Sequence, residues 1–258
     1  MGKAKRIRAA RVPVAPQAKG RQTPLLTRNR LLVVAGLVAA LAVALVGASL
    51  LSAREDGGGG ATEQVAGGGD VEALLAGIPQ SGTVLGEEDA PVTLVEYADL
   101  QCPFCAEWSA GTFPELVADY VRDGDLRIEF RGLAFIGPES EEALRAALAA
   151  GAQGKLWNVV DLVYTNQGAE NGGWVADDFL RAAGAEVRGL DVDRMMAERS
   201  SAAVGSSIDE TAVEAQSAGI SGTPFFLLGP TGGELNPLEV GSLGPEEFRA
   251  AIDELLNG

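Results

Sequence analysis

Apolar positions change their period several times along the chain. The longest apolar run is 31-LLVVAGLVAALAVALVGASLL-51, which is 21 residues without a charge. As a helix it would measure about 31 Å, close to the roughly 30 Å core of a bilayer. A core helix of a soluble domain is rarely apolar on every side for so long. The run therefore predicts a transmembrane anchor over 31–52. The alternative is a cleaved signal peptide, whose apolar stretch is usually about 7–15 residues; Gly47 and Ser49 are small enough for such a cleavage site.

Residues 53–69 hold seven Gly in 17 positions and read as a linker. As a flexible coil they would span roughly 20–25 Å. From 70 to 258 the pattern is that of a folded domain. VEALLAGI predicts a short helix stopped by Pro79. VTLVEYA (92–98) is β-branched and reads as a strand. Phe113, Leu116, Val117, Tyr120 and Val121 recur at helical spacing, with Pro114 expected to bend or break that helix. LRIEF (126–130) alternates as a strand.

Residues 139–218 are helical throughout, with Gly-rich breaks. PFFLL (224–228) returns to strand, GPTGG predicts a turn, and LEVG (238–241) is the expected hairpin partner. PEEFRAAIDELL (245–256) opens with Pro at a first helical position and predicts a closing helix. The order is that of an α/β sandwich carrying a helical insertion.

Charge changes this picture by giving it sides. Residues 1–30 carry nine Lys/Arg and no acid. Residues 55–258 carry ten bases against all 36 acids, a net of −26 (10 − 36). Basic residues ahead of the apolar run place the tail 1–30 in the cytoplasm and the domain 70–258 outside it. An acidic domain repels phosphate, so nucleic acid is not an expected partner. The Gly run at 57–60 lacks the Lys-Ser/Thr of a phosphate loop. The acidic pairs Asp177-Asp178 and Asp191/Asp193 lack the Gly and closing Glu of a calcium loop and read as a solvated face. Trp157, Tyr164 and Trp174 read as core.

The chain has only two cysteines, Cys102 and Cys105, and no histidine. Zinc would need further ligands, so no metal is expected. A Cys-His nucleophile is excluded. An inert disulfide would close too small a loop to constrain the unfolded chain much. Redox exchange remains, and it needs no bound cofactor. Outside the cytoplasm such thiols meet oxidising conditions. Pro103 suits the first helical turn, which puts Cys102 at the N-cap, where free N–H groups and the helix dipole favour a thiolate. Cys102 is therefore expected to be acidic and exposed, and Cys105 more buried.

The pieces DAPVTLVEYADLQCPFC (89–105) and SGTPFFLLG (221–229), with the helical block between them, resemble the membrane-tethered DsbA-like thiol–disulfide oxidoreductases of the thioredoxin superfamily. The resemblance covers about 78–258 and implies a thioredoxin-like fold. It implies that Thr223-Pro224 is a cis bond facing the cysteines and offering backbone to a client strand. It implies that Glu96 moves the proton of Cys105; a solvated strand-end Glu is the alternative. Asp99 reads as a turn or cap residue. Founding members carry His between the cysteines where this chain has Phe104, so Cys102 is expected to be less acidic than theirs. Phe104 is the expected contact for apolar substrate, while Leu100 and Phe225 read as packing. The implied partners are exported client proteins with thiols and a membrane partner that recycles the pair. Oxidase action is the leading reading; a reductase or isomerase of the same fold, or a tethered chaperone, stays open.

Overall fold

The computed structural model describes residues 65–258. The basic tail, the expected anchor and residues 53–64 of the linker lie outside them. Among the described residues, no helix is long and apolar enough to cross a membrane. The fold begins a little earlier than the composition suggests. Ala66 N–H donates to Asn166 Oδ1 at 2.8 Å, and Asn166 Nδ2 returns a bond to Ala66 O. Helix α1 then spans Gly68–Leu75.

The central strand is β3, Val92–Ala98, with all seven residues buried. It pairs in parallel with β4 (Leu126–Gly132) and antiparallel with β5 (Phe225–Pro230). Two short strands that carry no readable periodicity, β1 (Gln80–Ser81) and β2 (Val84–Leu85), extend one edge, giving the order β1-β2-β4-β3-β5-β6. The sixth strand, β6, is Asn236–Pro237 rather than the predicted 238–241. The reason lies in the turn: Gly233 N–H closes onto Pro230 O at 2.9 Å, so residues 236–237 are the first to run alongside β5.

Helix α2 (Pro103–Leu116) makes the crossover between β3 and β4. Pro114 does not break it. The proline lacks an N–H, and just beyond it the chain widens into a π-turn over Val117–Val121, with Arg122 N–H reaching back to Val117 O. The insertion holds α3 (Pro138–Gly151), α4 (Leu156–Thr165), α5 (Asp177–Ala185), α6 (Val192–Glu198) and α7 (Ala202–Ser217). Helix α8 (Pro245–Asn257) closes the chain. Gly132 lets α3 approach the sheet: a Cβ there would lie 2.1 Å from Leu144. Asp191 caps α6 by accepting from Arg194 N–H at 2.9 Å, and Asp177, Asp178 and Asp193 are solvent-exposed.

The strand's alternation sorts the core in two. Val92, Leu94, Glu96 and Ala98 point to the side covered by α2, α4 and α8. There Trp108 packs on Phe226 (ring centroids 5.2 Å) and Phe113 stacks on Trp157 (5.1 Å). Phe248 of α8 meets Phe226 at 4.9 Å. Val95 and Tyr97 point the other way, into a smaller cluster with Leu133, Ala215 and Ile220.

Candidate active site

The site is built where β3 hands the chain to α2. Residues 99–101 form the turn between them, and Cys102 is the N-cap of α2 with Pro103 in the first helical turn. Cys102 N–H donates to Asp99 O at 2.9 Å. Asp99 organises this turn and its neighbour, as a turn residue should. Its Oδ1 accepts from Gln101 N–H (2.8 Å), and its Oδ2 accepts from Phe135 and Ile136 N–H (2.7 and 3.0 Å). Gln167 Nε2 donates to the carbonyls of Leu100 and Cys102, tying the insertion to the same turn.

Thr223-Pro224 is a cis bond and sits against the cysteines. The Cys102 thiol donates to Thr223 O at 3.3 Å. This contact corrects one expectation. Cys102 is the more accessible of the pair, yet only 5% exposed, because the 223–224 segment lies over it; Cys105 is fully buried. What stands out into solvent is Phe104, 59% exposed, and Phe135, 50% exposed. Leu100 is buried and Phe225 partly so, both as packing residues.

The two thiols are driven apart in acidity. Cys102 falls from 9.0 to about 6. The hydrogen bond from Cys105 is the main cause, joined by the Thr223 side chain and the backbone N–H groups of Cys105 and Phe104, and opposed by burial. These N–H groups belong to the first turn of α2, whose amides have no partner within the helix. Cys105 moves far up, first because it is buried, then because it donates to Cys102 and faces the charge of Glu96. One sulfur is thus an anion near neutral pH and the other a firmly held thiol.

Glu96 is not a strand-end residue in water. It is 1% exposed, and neither carboxylate oxygen has a hydrogen-bond partner. Its neighbours in register are Phe130 on β4 and Phe226 on β5. Burial among these rings raises its pKa well above 4.5, with the charges of Cys102 and Asp161 adding to the effect. An unpartnered buried carboxyl strongly favours its neutral form.

The arrangement joins six residues named from sequence: Cys102, Cys105, Glu96, Phe104, Thr223 and Pro224. It also contains residues that sequence reading passed over. Phe135 comes from the loop after β4, and its N–H is held by Asp99. Ser109 and Asp161 lie behind Cys105, where Ser109 Oγ–H donates to Asp161 Oδ1 at 2.8 Å. A signal for Asp161 existed, since it interrupts the apolar run LWNVVDLVY on α4.

This is a Cys-x-x-Cys pair at the N-terminus of a helix, facing a cis-proline, on a thioredoxin-like fold. The chain belongs to the thioredoxin family, whose model matches residues 80–254. It is 29% identical over 143 residues to the probable disulfide bond formation protein D of Bacillus cereus, covering 54% of this chain and 66% of that protein. Its fold is shared with oxidised BdbD from Bacillus subtilis, at a TM-score of 0.60 and 22% identity over 70% of this chain and 99% of that one. Wolbachia pipientis alpha-DsbA1 is similar too, at a TM-score of 0.59 and 20% identity over 72% and 96% of the two chains.

Proposed function

We propose that this protein is a membrane-anchored oxidase that introduces disulfides into exported proteins through the Cys102–Cys105 pair. The observation that carries this reading is the unequal placement of two neighbouring sulfurs: Cys102 caps the helix beside the cis Thr223-Pro224 segment, 3.3 Å from Thr223 O, while Cys105 is fully buried one turn in, which lowers Cys102 to about 6 and raises Cys105. Each tenfold gain in the acidity of Cys102 stabilises the reduced pair by about 1.4 kcal/mol, or roughly 30 mV toward oxidant for a two-electron couple. The pair is therefore pushed toward giving its disulfide away. The same acidity makes Cys102 a good leaving group.

The reaction runs in two exchanges. A client thiolate attacks Cys102 Sγ, the Cys102–Cys105 bond breaks, and Cys105 leaves. Cys105 takes a proton as it leaves, and the neutral carboxyl of Glu96 supplies it. The client's second thiolate then attacks the client sulfur of the mixed disulfide, and Cys102 departs as thiolate. Two electrons pass from client to protein. The client lies as an added strand on the Thr223 backbone beside Pro224. Phe104 and Phe135 contact apolar residues flanking the client cysteine. A membrane partner linked to quinone reoxidises the pair, and the Gly-rich linker gives the domain reach toward it. The domain works outside the cytoplasm, with residues 1–30 inside and 31–52 in the membrane.

The test is a trap. A Cys105→Ala variant keeps Cys102, whose thiolate can still attack a client disulfide, and removes the neighbouring sulfur that would reverse the mixed disulfide by closing onto Cys102. Expressed in cells, it should accumulate mixed disulfides with exported proteins, visible on non-reducing gels and abolished by Cys102→Ser. Absence of any adduct rejects the reading. A redox potential near that of thioredoxin would assign the protein to reduction instead.

A further inference from the structure

Asp161 is a second buried carboxyl on the Glu96 side of the sheet, and its position follows from its neighbours on α4. Trp157, one turn earlier, stacks on Phe113 of α2 and meets Phe130 edge-on at 5.8 Å. Phe130 is the register partner of Glu96. Tyr164, one turn later, donates its hydroxyl to Asp99 O at 3.3 Å, the same carbonyl that receives the Cys102 N–H. Residues 157, 161 and 164 share one helix face at i, i+4 and i+7. Asp161 therefore lies between these anchor points, over the stretch of β3 that carries Glu96.

From the cysteine helix, Ser109 sits one turn beyond Cys105 and holds Asp161 Oδ1 at 2.8 Å. Asp161 is 9% exposed, against 1% for Glu96 and none for Cys105, so exposure rises outward along the series. Among the described residues, neither carboxyl takes part in an ion pair, so no cation fixes either one as a permanent anion.

We propose that Asp161 is the proton outlet of the site, exchanging protons between Glu96 and solvent while Ser109 holds its carboxylate against the cysteine helix. This rests on the reading of Glu96 as the proton shuttle of Cys105. When the disulfide is reduced, Cys105 takes the Glu96 proton; Glu96, which has no direct hydrogen bond to Asp161, recovers one from it through a water, and solvent reprotonates Asp161. When the pair is reoxidised, the proton of Cys105 leaves by the reverse route. The titratable groups facing this path are Cys102, Cys105, Asp99 and Tyr164. Burial lifts Asp161 to about 6, with the Ser109 bond pulling it back, and its charge acts on Glu96. An acid that titrates near the working pH is suited to passing protons in both directions.

The test is the single-turnover reduction of the Cys102–Cys105 disulfide by dithiothreitol, and its reoxidation by oxidised glutathione, in the full-length chain between pH 5 and 8. Rates are read as the ratio of variant to wild type, which cancels the ionisation of dithiothreitol. Asp161→Asn keeps an acceptor for Ser109 and should slow both directions about tenfold or more. The deficit should be greatest near pH 6, where Asp161 holds both forms. The Cys102 titration should stay in place. Added to Glu96→Gln, Asp161→Asn should slow the reaction no further, because both act on one path. Ser109→Ala keeps the carboxyl and carries the test should Asp161→Asn fail to fold. Loss of the bond that lowers Asp161 should move the midpoint of the rate profile upward.

A wild-type profile in Asp161→Asn, an unshifted midpoint in Ser109→Ala, or independent effects in the double variant would each overturn the proposal. If Glu96→Gln alone has no effect, the shuttle itself fails. If the Cys105→Ala trap stays empty, the oxidase reading fails, while these rates still report on the proton path.

Discussion

Glu96 and Tyr97 are neighbours on β3, equally buried and on opposite faces of the sheet. Tyr97 is fully provided for. Its hydroxyl donates to Glu214 Oε1 at 2.9 Å, and Glu214 in turn pairs with Arg131 at 2.6 Å. Glu96 has nothing: two oxygens without a donor, between two phenyl rings. The same strand thus carries one polar group solved as structure and one left in a state that destabilises the fold. A buried polar group without a partner costs about 1–3 kcal/mol, and more when charged. The cysteines lie on the Glu96 face, which fits the proton role we propose for it.

The sharpest way to break this contrast is at the sulfur. Cys102→Ser should abolish exchange with dithiothreitol and with client thiols, while a thermal melt stays close to that of the wild type. Residual exchange would put the chemistry elsewhere. Next in size, Glu96→Gln should slow disulfide reduction about a hundredfold, at the lower end of the range of general acid catalysis. The same variant should be more stable in urea at pH 7, because the buried carboxyl must either ionise or hold a proton there while the amide does neither. The sign follows from the raised pKa of Glu96. A group with a raised folded pKa stabilises fully below its unfolded value, here 4.5, and less as pH rises toward the folded value. Glutamine does not titrate, so its advantage should grow with pH across that window and vanish near pH 4. A variant that is slower and less stable would make Glu96 merely structural.

Tyr97→Phe should behave oppositely: about 1 kcal/mol less stable, through loss of one hydrogen bond, with unchanged exchange rates. A rate effect there would erase the distinction between the two faces. Smallest, Phe104→Ala should raise KM for apolar peptide clients severalfold and leave the reaction with dithiothreitol alone. An equal effect on both reagents would show that Phe104 acts on the thiolate rather than on the client.

How much was legible in the sequence follows the range of the interactions. The strand, the helix cap and the cysteine pair are local, and VTLVEYADLQCPFC spells them in one stretch. The Thr-Pro segment was legible through resemblance, although it lies over a hundred residues away. The two-residue strands β1 and β2 were not, because they are too short to show a period. The position of β6 was misread because hydropathy pointed to LEVG while turn closure at Gly233 decided the register. The near-burial of Cys102 depends on how closely the 223–224 segment lies against it, which no local pattern encodes. Phe135 and Asp161 reach the site from the loop after β4 and from the insertion. Their polar and apolar character was visible, but their destination was set by Asp99 and by Ser109.

The proposed exchange chemistry depends on the ionisation of one sulfur. Thiolate absorbance of the reduced protein near 240 nm, followed against pH, reads it directly. The geometry predicts a first transition at about 6 that disappears in Cys102→Ser, and no second thiol titrating with it. A single transition near 9.0, the ordinary value, would contradict it.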